Sequence, residues 1–254
     1  MRVLSLASGS SGNCYFVSAA NTNILVDCGI SARSAIERLA ENGVDTKKID
    51  ALLITHEHSD HIGGAYTLTK RLGIPAFMSF RTYTEVSKHR QVEEVSFFHS
   101  GRPFEKGNLK ILPFPVSHDA VDPVGFRIFS DEGDIVLATD TGKVTDEIRQ
   151  VVDGARVLVL ESNHDEHMLK YGPYPEYLKA RIASEVGHLS NKTSGALLRE
   201  MNRCNLEALL LSHLSRANNL PKIVLEEAKE AFSGDFGKTV VQVGDQFIVR
   251  DFTL

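Results

Sequence analysis

Tryptophan is absent from the 254 residues, and no run approaches the about 18 apolar residues that a membrane-spanning helix needs. The first absence carries little information; the second excludes a helical membrane span. Cysteine is scarce. Cys14, Cys28 and Cys204 lie far apart, form no CxxC knuckle and cannot make an even disulfide framework, so free thiols in a reducing compartment are expected. The opening Met1 to Ala7 carries a charge and a short apolar stretch but runs into a glycine-rich turn, without the apolar region and cleavage site of a secretory signal. The expected location is cytoplasmic, with no membrane partner. A basic excess is also missing: 28 Lys and Arg face 33 Asp and Glu, a net charge of -5, which argues against a general nucleic-acid coat protein. It does not exclude a nuclease, because cations and a few local basic residues can supply charge at a phosphate. Repeats and low-complexity segments are lacking too, and 42% hydrophobic with 24% charged residues is ordinary for a globular chain able to bury a large core.

What is present is a dense cluster of metal-binding side chains. His56, Glu57, His58, Ser59, Asp60 and His61 follow the apolar run Ala51 to Ile54 and precede Gly63 and Gly64. His56 with His58, and Asp60 with His61, could each hold one cation at the mouth of a buried strand. A chance polar loop would leave several imidazoles and a carboxylate desolvated behind that strand without compensation. Three later apolar segments also end in suitable residues: Ile111 to Val116 leads to His118, Ile135 to Ala138 to Asp140, and Ala208 to Leu211 to His213. Ligands delivered from the carboxyl ends of separate strands are a common way for open sheets to assemble a site. Each later histidine alone is more often a surface or satisfied core residue than a ligand; the repetition of strand then ligand gives them weight together.

His56, His58, Asp60 and His61 fit His-x-His-x-Asp-His, and on that motif the whole chain resembles the metallo-beta-lactamase-fold hydrolases. The resemblance implies a four-layer αββα sandwich and two divalent ions, one held by His56, His58 and His118, the other by Asp60, His61 and His213, with Asp140 bridging. It also implies that Asp27, after Ile24 to Val26, supports the metal loop from behind. Aspartate at 140, where some members that open β-lactam rings carry cysteine, points to the phosphodiesterase and nuclease branches. The stretches Ser8 to Cys14 and Gly187 to Asn191 resemble the YycJ or WalJ branch, whose members are described as 5′ to 3′ exonucleases on double-stranded DNA linked to mismatch repair.

Strands are expected at Val3–Ala7, Cys14–Ser18, Asn23–Asp27, Ala51–Thr55, Pro75–Ser79, Leu109–Pro115, Val124–Ser130, Ile135–Ala138, Val157–Leu160 and Ala208–Leu211, with Thr239–Val243 and Gln246–Arg250 as a closing hairpin. Helices are expected at Ser31–Asn42, through Leu68 and Leu72, and at Arg81–His89, Glu176–Glu185, Asn191–Asn202 and Ile223–Ala231. Periodicity alone gives α/β; the sandwich comes from the resemblance. Residues 1–254 are expected to form a single domain, since a cut near residue 120 would divide the ligand set.

Several groups lie beyond the metal set. Ser10, between Gly9 and Gly12, and Asn13, just after them, could form an amide-lined turn that approaches an anion, or a plain turn that needs positive φ. Ser190 or Asn191 could cap the helix that follows and make a phosphate site at its start. His188 is then placed to protonate a leaving oxygen, against the simpler reading of a surface residue near the cap. The resemblance names Glu161 as its acidic partner. His164 and His167 could chelate a further ion, although the seven-residue set is already complete. Tyr171, Tyr174 and Tyr177, with Lys170, Lys179 and Arg181 nearby, could stack on bases or pack a sheet edge.

The expected reaction is phosphodiester hydrolysis with two Zn, Mn or Fe ions; Asp60 orients the water and His188 assists the leaving group. Duplex DNA with a 5′ end is the substrate that the branch implies. An RNA-processing nuclease, a small cyclic phosphodiesterase and a thioester hydrolase are the alternatives, and an oligomer of identical chains is left open.

Overall fold

In the computed structural model, which describes residues 1–254, the apolar alternation of the strands sorts into three buried layers. On a strand, successive side chains point to opposite faces, so a strand buried on both faces reads as a continuous apolar run. Ile24, Val26, Ala51 and Leu53 face inward onto Ile135, Leu137, Ala208 and Leu210. Their neighbours Leu25, Leu52 and Ile54 face Ala35, Leu39 and Leu68 on one outer side, while Val136, Leu209 and Leu211 face Ile148, Leu197 and Val224 on the other. Three apolar layers between helices, sheet, sheet and helices make the four-layer αββα sandwich.

The first sheet contains β1 (Arg2–Ala7), β2 (Cys14–Ala19), β3 (Thr22–Val26), β4 (Ala51–Leu53), β5 (Ala76–Ser79) and β6 (Val95–Phe98). The second contains β7 (Phe104–Lys106), β8 (Leu109–Pro115), β9 (Val124–Ser130), β10 (Gly133–Ala138), β11 (Val157–Glu161), β12 (Ala208–Ser212) and β13 (Val240–Val243). The last strand, β14 (Arg250–Thr253), returns to the first sheet, giving the order β14-β1-β2-β3-β4-β5-β6 against β13-β12-β11-β10-β9-β8-β7. Each sheet is antiparallel on one side and parallel from its fourth strand onward. Parallel strands need crossovers, and here helices supply several.

Helices α1 (Ala32–Glu41), α2 (Ser59–Ile62), α3 (Ala65–Leu72) and α4 (Phe80–Glu85) belong to the first half, and α5 (Asp146–Val152), α6 (Glu166–Tyr171), α7 (Glu176–Ile182), α8 (Asn191–Glu200) and α9 (Pro221–Ala231) to the second. Ser31 caps α1 through Ser34 N, and Ser190 caps α8 through Thr193 N.

The expected closing hairpin does not form. Asp245 Oδ1 accepts from Phe247 N and Ile248 N at 2.7 and 2.9 Å, which turns the chain out of the second sheet. Arg250 then pairs with Ser5, so the two terminal strands lie in different sheets. The helix expected over Arg81–His89 stops at Glu85 and is followed by a short 3-10 turn at Lys88–Arg90. The sequence reading also missed β6, β7, α5 and α6: two of these strands are short and only partly buried, and α5 has only Ile148 and Val152 buried.

Candidate dinuclear metal centre

The candidate ligands collect at strand ends along one rim of the sandwich. His56 to His61 follow β4, His118 follows β8, Asp140 follows β10 and His213 follows β12. Asp27, Asp140 and His213 all have positive φ, between 54° and 59°. Holding a non-glycine residue in that region costs energy, less for Asp and His than for branched side chains, and such strain clusters at functional sites. The left-handed residue ends each strand abruptly. No pattern in the sequence announces it.

Two groups of ligand atoms result: His56, His58 and His118, and Asp60, His61 and His213. Asp140 stands between them, with Oδ2 3.1 Å from His61 Nε2 and Oδ1 3.9 Å from His118 Nε2.

The imidazoles are oriented from behind. His56 Nδ1 contacts Thr55 Oγ1 at 3.0 Å, His61 Nδ1 contacts Asp27 Oδ2 at 2.7 Å, His118 Nδ1 contacts the Gly187 carbonyl at 3.1 Å and His213 Nδ1 contacts Glu161 Oε1 at 2.8 Å. In each, Nδ1–H donates and Nε2 is left facing the cluster, the arrangement that fixes tautomer and ring plane in metal sites. His58 differs, presenting Nδ1 3.3 Å from His118 Nε2. Thr55 Oγ1 donates to Asp27 Oδ2 at 2.8 Å and Thr55 N donates to Oδ1 at 2.9 Å, so Asp27 ties the end of β3 to the metal loop.

Three of the converging atoms, His56 Nε2, Asp140 Oδ2 and His213 Nε2, are buried without a hydrogen-bond partner. Buried polar atoms left unpaired are costly. Three of them aimed into one cluster of nitrogen and oxygen donors fit divalent cations. Burial and the neighbouring His61 hold His56 well below the usual imidazole range, which keeps it neutral as a ligand must be. Burial works against charging His213, yet Asp140, Asp60 and Glu161 push it up to about 10; Asp140 and Asp27 likewise overcome burial to raise His61. Burial opposes ionisation of Asp140 too, but the charges of His213 and His61 hold its carboxyl well below the usual range. The cluster is thus an alternation of carboxylates and imidazoles whose protons cations can replace.

Glu161 is fully buried at the end of β11 and accepts four hydrogen bonds. Oε1 receives His188 Nδ1 and His213 Nδ1, both at 2.8 Å, and Oε2 receives Thr141 N at 2.9 Å and Leu189 N at 3.2 Å. Although Glu161 and His188 lie close enough to Asp140 and His213 to be counted as another ligand group, a carboxylate so fully engaged has little capacity left for an ion. Despite burial, these contacts with His188 and His213 hold its carboxyl down at about 2. Glu161 therefore positions two histidines and does not itself reach substrate. His188, with 19% of its side chain exposed, lines the cavity and keeps Nε2 free.

The other expected contacts divide. Ser10 lines the cavity together with Asp60, Asp140, His188 and Ser215. Asn13 is buried; its Oδ1 accepts from Gly9 N and its Nδ2 lies 3.0 Å from His61 Nε2, so it braces the metal loop and is not a phosphate contact. Ser190 and Asn191 are buried as well. Ser190 caps α8 and donates to Glu166, and Asn191 bonds Ser162 and Asn219, which removes both from the substrate side. Gly29 was not foreseen. A Cβ there would lie 1.7 Å from the Asp60 carbonyl, so the metal loop packs directly on its backbone.

Fold and site together define a metal-dependent hydrolase. Residues 22–214 match the model of the beta-lactamase superfamily domain. The chain is 37% identical over 253 residues to exodeoxyribonuclease WalJ of Streptococcus pneumoniae, covering 97% of this chain and 92% of that one. It is 31% identical over 249 residues to exodeoxyribonuclease YycJ of Bacillus anthracis, covering 97% and 93%. The crystal structure of the metallo-beta-lactamase fold protein YhfI from Bacillus subtilis superimposes with a TM-score of 0.72 at 20% identity, covering 99% of each chain, a likeness of fold. The chain belongs to the beta-lactamase superfamily and, within it, to the family of the WalJ and YycJ exodeoxyribonucleases.

Proposed function

We propose that this protein is a 5′ to 3′ exonuclease acting on double-stranded DNA, in which His56, His58 and His118 would hold one zinc, manganese or iron ion and Asp60, His61 and His213 a second, with Asp140 placed between the two groups. Near full-length similarity to two exodeoxyribonucleases carries the choice of DNA. Residues 1–254 act as one domain, because the ligands come from both sheets and β14 closes the first sheet after the second is complete. A reducing cytoplasm suits its three free cysteines, one of them exposed.

Divalent cations bound there supply Lewis acidity toward a phosphoryl oxygen and lower the pKa of a water. Asp60 is part-exposed at the cavity, with Oδ2 3.7 Å from His61 Nε2 and 3.8 Å from His213 Nε2, and orients the attacking water toward phosphorus. His188 Nε2 carries the proton for the departing sugar oxygen while Nδ1 stays on Glu161. The buried Glu161 carboxylate holds His188 Nδ1 at 2.8 Å and keeps the ring turned to the cavity.

Protein reconstituted separately with each metal is expected to release nucleotides from a 5′-phosphorylated duplex, and Asp60→Ala to abolish release with the fold intact by circular dichroism. Activity confined to single-stranded RNA would move the substrate class. Thioester cleavage with no phosphodiesterase activity under any metal would overturn the proposal.

A further inference from the structure

One wall of the cavity takes no part in the hydrolytic chemistry. The same cavity is lined by Tyr174, Leu178, Arg181 and Ile182, the last three on a single face of α7. Tyr174, Leu178 and Ile182 are the wall's apolar surface, and Arg181 is the one Lys or Arg in the cavity lining. Arg181 Nε donates to Asp119 Oδ2 at 2.6 Å, and Asp119 Oδ1 lies 3.5 Å from His118 Nε2. The guanidinium is thereby held one side chain away from the metal cluster. With 57% of the side chain exposed and only Nε engaged, Nη1 and Nη2 are free for a ligand. The neighbouring candidates are spent or elsewhere: Lys179 Nζ is bound to Glu176 and the Lys170 carbonyl, and Tyr171 and Tyr177 lie outside the cavity.

We propose that this wall is the subsite for the 5′-terminal nucleotide of the substrate strand, with Arg181 taking the terminal monophosphate and Tyr174, Leu178 and Ile182 packing the first base. The proposal rests on the nuclease reading above. A guanidinium presents paired N–H donors that match phosphate oxygens, and a terminal monoester carries more charge than an internal diester. On a chain of net charge -5, affinity for a DNA end must come from such local cations. The cavity, about 260 Å³, is on the scale of a small-molecule site and gives Arg181 and its apolar neighbours a shared space beside the metal cluster. An aromatic and aliphatic wall is sequence-tolerant, as every base has a face to stack.

The test compares kcat/KM on two otherwise identical duplexes, one ending in 5′-phosphate and one in 5′-hydroxyl, with bis-p-nitrophenyl phosphate as a third substrate. Wild-type protein is expected to prefer the phosphorylated end. Arg181→Gln should lower that preference about 10- to 100-fold, the scale of hydrogen bonds to a charged group, and Arg181→Lys should restore part of it. Tyr174→Ala should raise KM on DNA more than Tyr174→Phe. Equal losses on all three substrates in Arg181→Gln would assign the residue to the scissile phosphate and overturn the subsite, as would a wild-type enzyme indifferent to the 5′ group. Wild-type protein inert on both duplexes but active on bis-p-nitrophenyl phosphate would instead overturn the nuclease reading, and the subsite with it.

Discussion

His188 and Asp27 show how neighbouring side chains divide chemistry from support. His188 has its Nδ1 on a buried carboxylate and its other nitrogen at the cavity. His188→Ala is expected to lower kcat by about 10² to 10⁴, the range for a positioned proton donor, with metal content nearly unchanged by elemental analysis. A p-nitrophenolate leaving group needs little protonation, so the defect should shrink on bis-p-nitrophenyl phosphate; an equal defect would make His188 a phosphate contact. Asp27 never meets the cavity and acts through His61 and Thr55. Asp27→Asn should therefore weaken metal affinity by about 10- to 100-fold, the usual scale for residues behind a metal ligand, as read by competition with a chromophoric chelator. The candidate metal ligands were legible in the sequence because they are crowded in one motif or stand just after apolar runs. Ser190 caps its helix as the sequence allowed, but the hydrogen bonds of Asn13, Ser190 and Asn191 run into the protein and not toward the cavity, a direction that sequence position does not specify.

At the scale of elements, strands buried on both faces were legible because each is a short unbroken apolar run between turn residues. β13 was legible too, within the expected Thr239–Val243, but β14 was not: it begins at Arg250, where the expected hairpin strand ends. Asp245 turns the chain by hydrogen bonds that a pattern of alternating residues cannot register, and β14 is carried to the opposite sheet. Phe252 consequently packs between the sheets against residues from both halves. Phe252→Ala is expected to cost about 3 to 5 kcal/mol by urea denaturation, the penalty for emptying a buried aromatic site. A loss under about 1 kcal/mol, typical of a surface position, would show that β14 is not part of the core. The sharp corners at Asp27, Asp140 and His213 were equally invisible, since their left-handed backbone is dictated by where the next segment must go.

For the whole molecule, the metal centre couples stability to pH and to cation concentration. In the metal-free state His213 is pushed up to about 10, above the about 6.5 of an unperturbed imidazole. Its contribution to stability is present below the unfolded value and is lost as pH rises through about 10. His56 is shifted the other way by burial, so its contribution is present above the unfolded value and fades as pH falls below it. A cation occupying the site requires both His213 and His61 to give up their extra protons. Metal binding is therefore expected to release protons and to tighten as pH rises from about 7 to about 9, before hydroxide competes for the ion. Titration calorimetry in buffers of different ionisation enthalpy measures that release directly. The same ions bind the folded chain in preference to the unfolded one, so free metal at about 100 times its dissociation constant should add about 2.7 kcal/mol per site. Chelation should lower Tm correspondingly, and separate fragments 1–120 and 121–254 should each lack a tight site, because the cut parts Asp140 and His213 from His56, His58, Asp60, His61 and His118. Affinity independent of pH, or a fragment that retains a tight site, would contradict an arrangement in which ligands from both sheets exchange shared protons for cations.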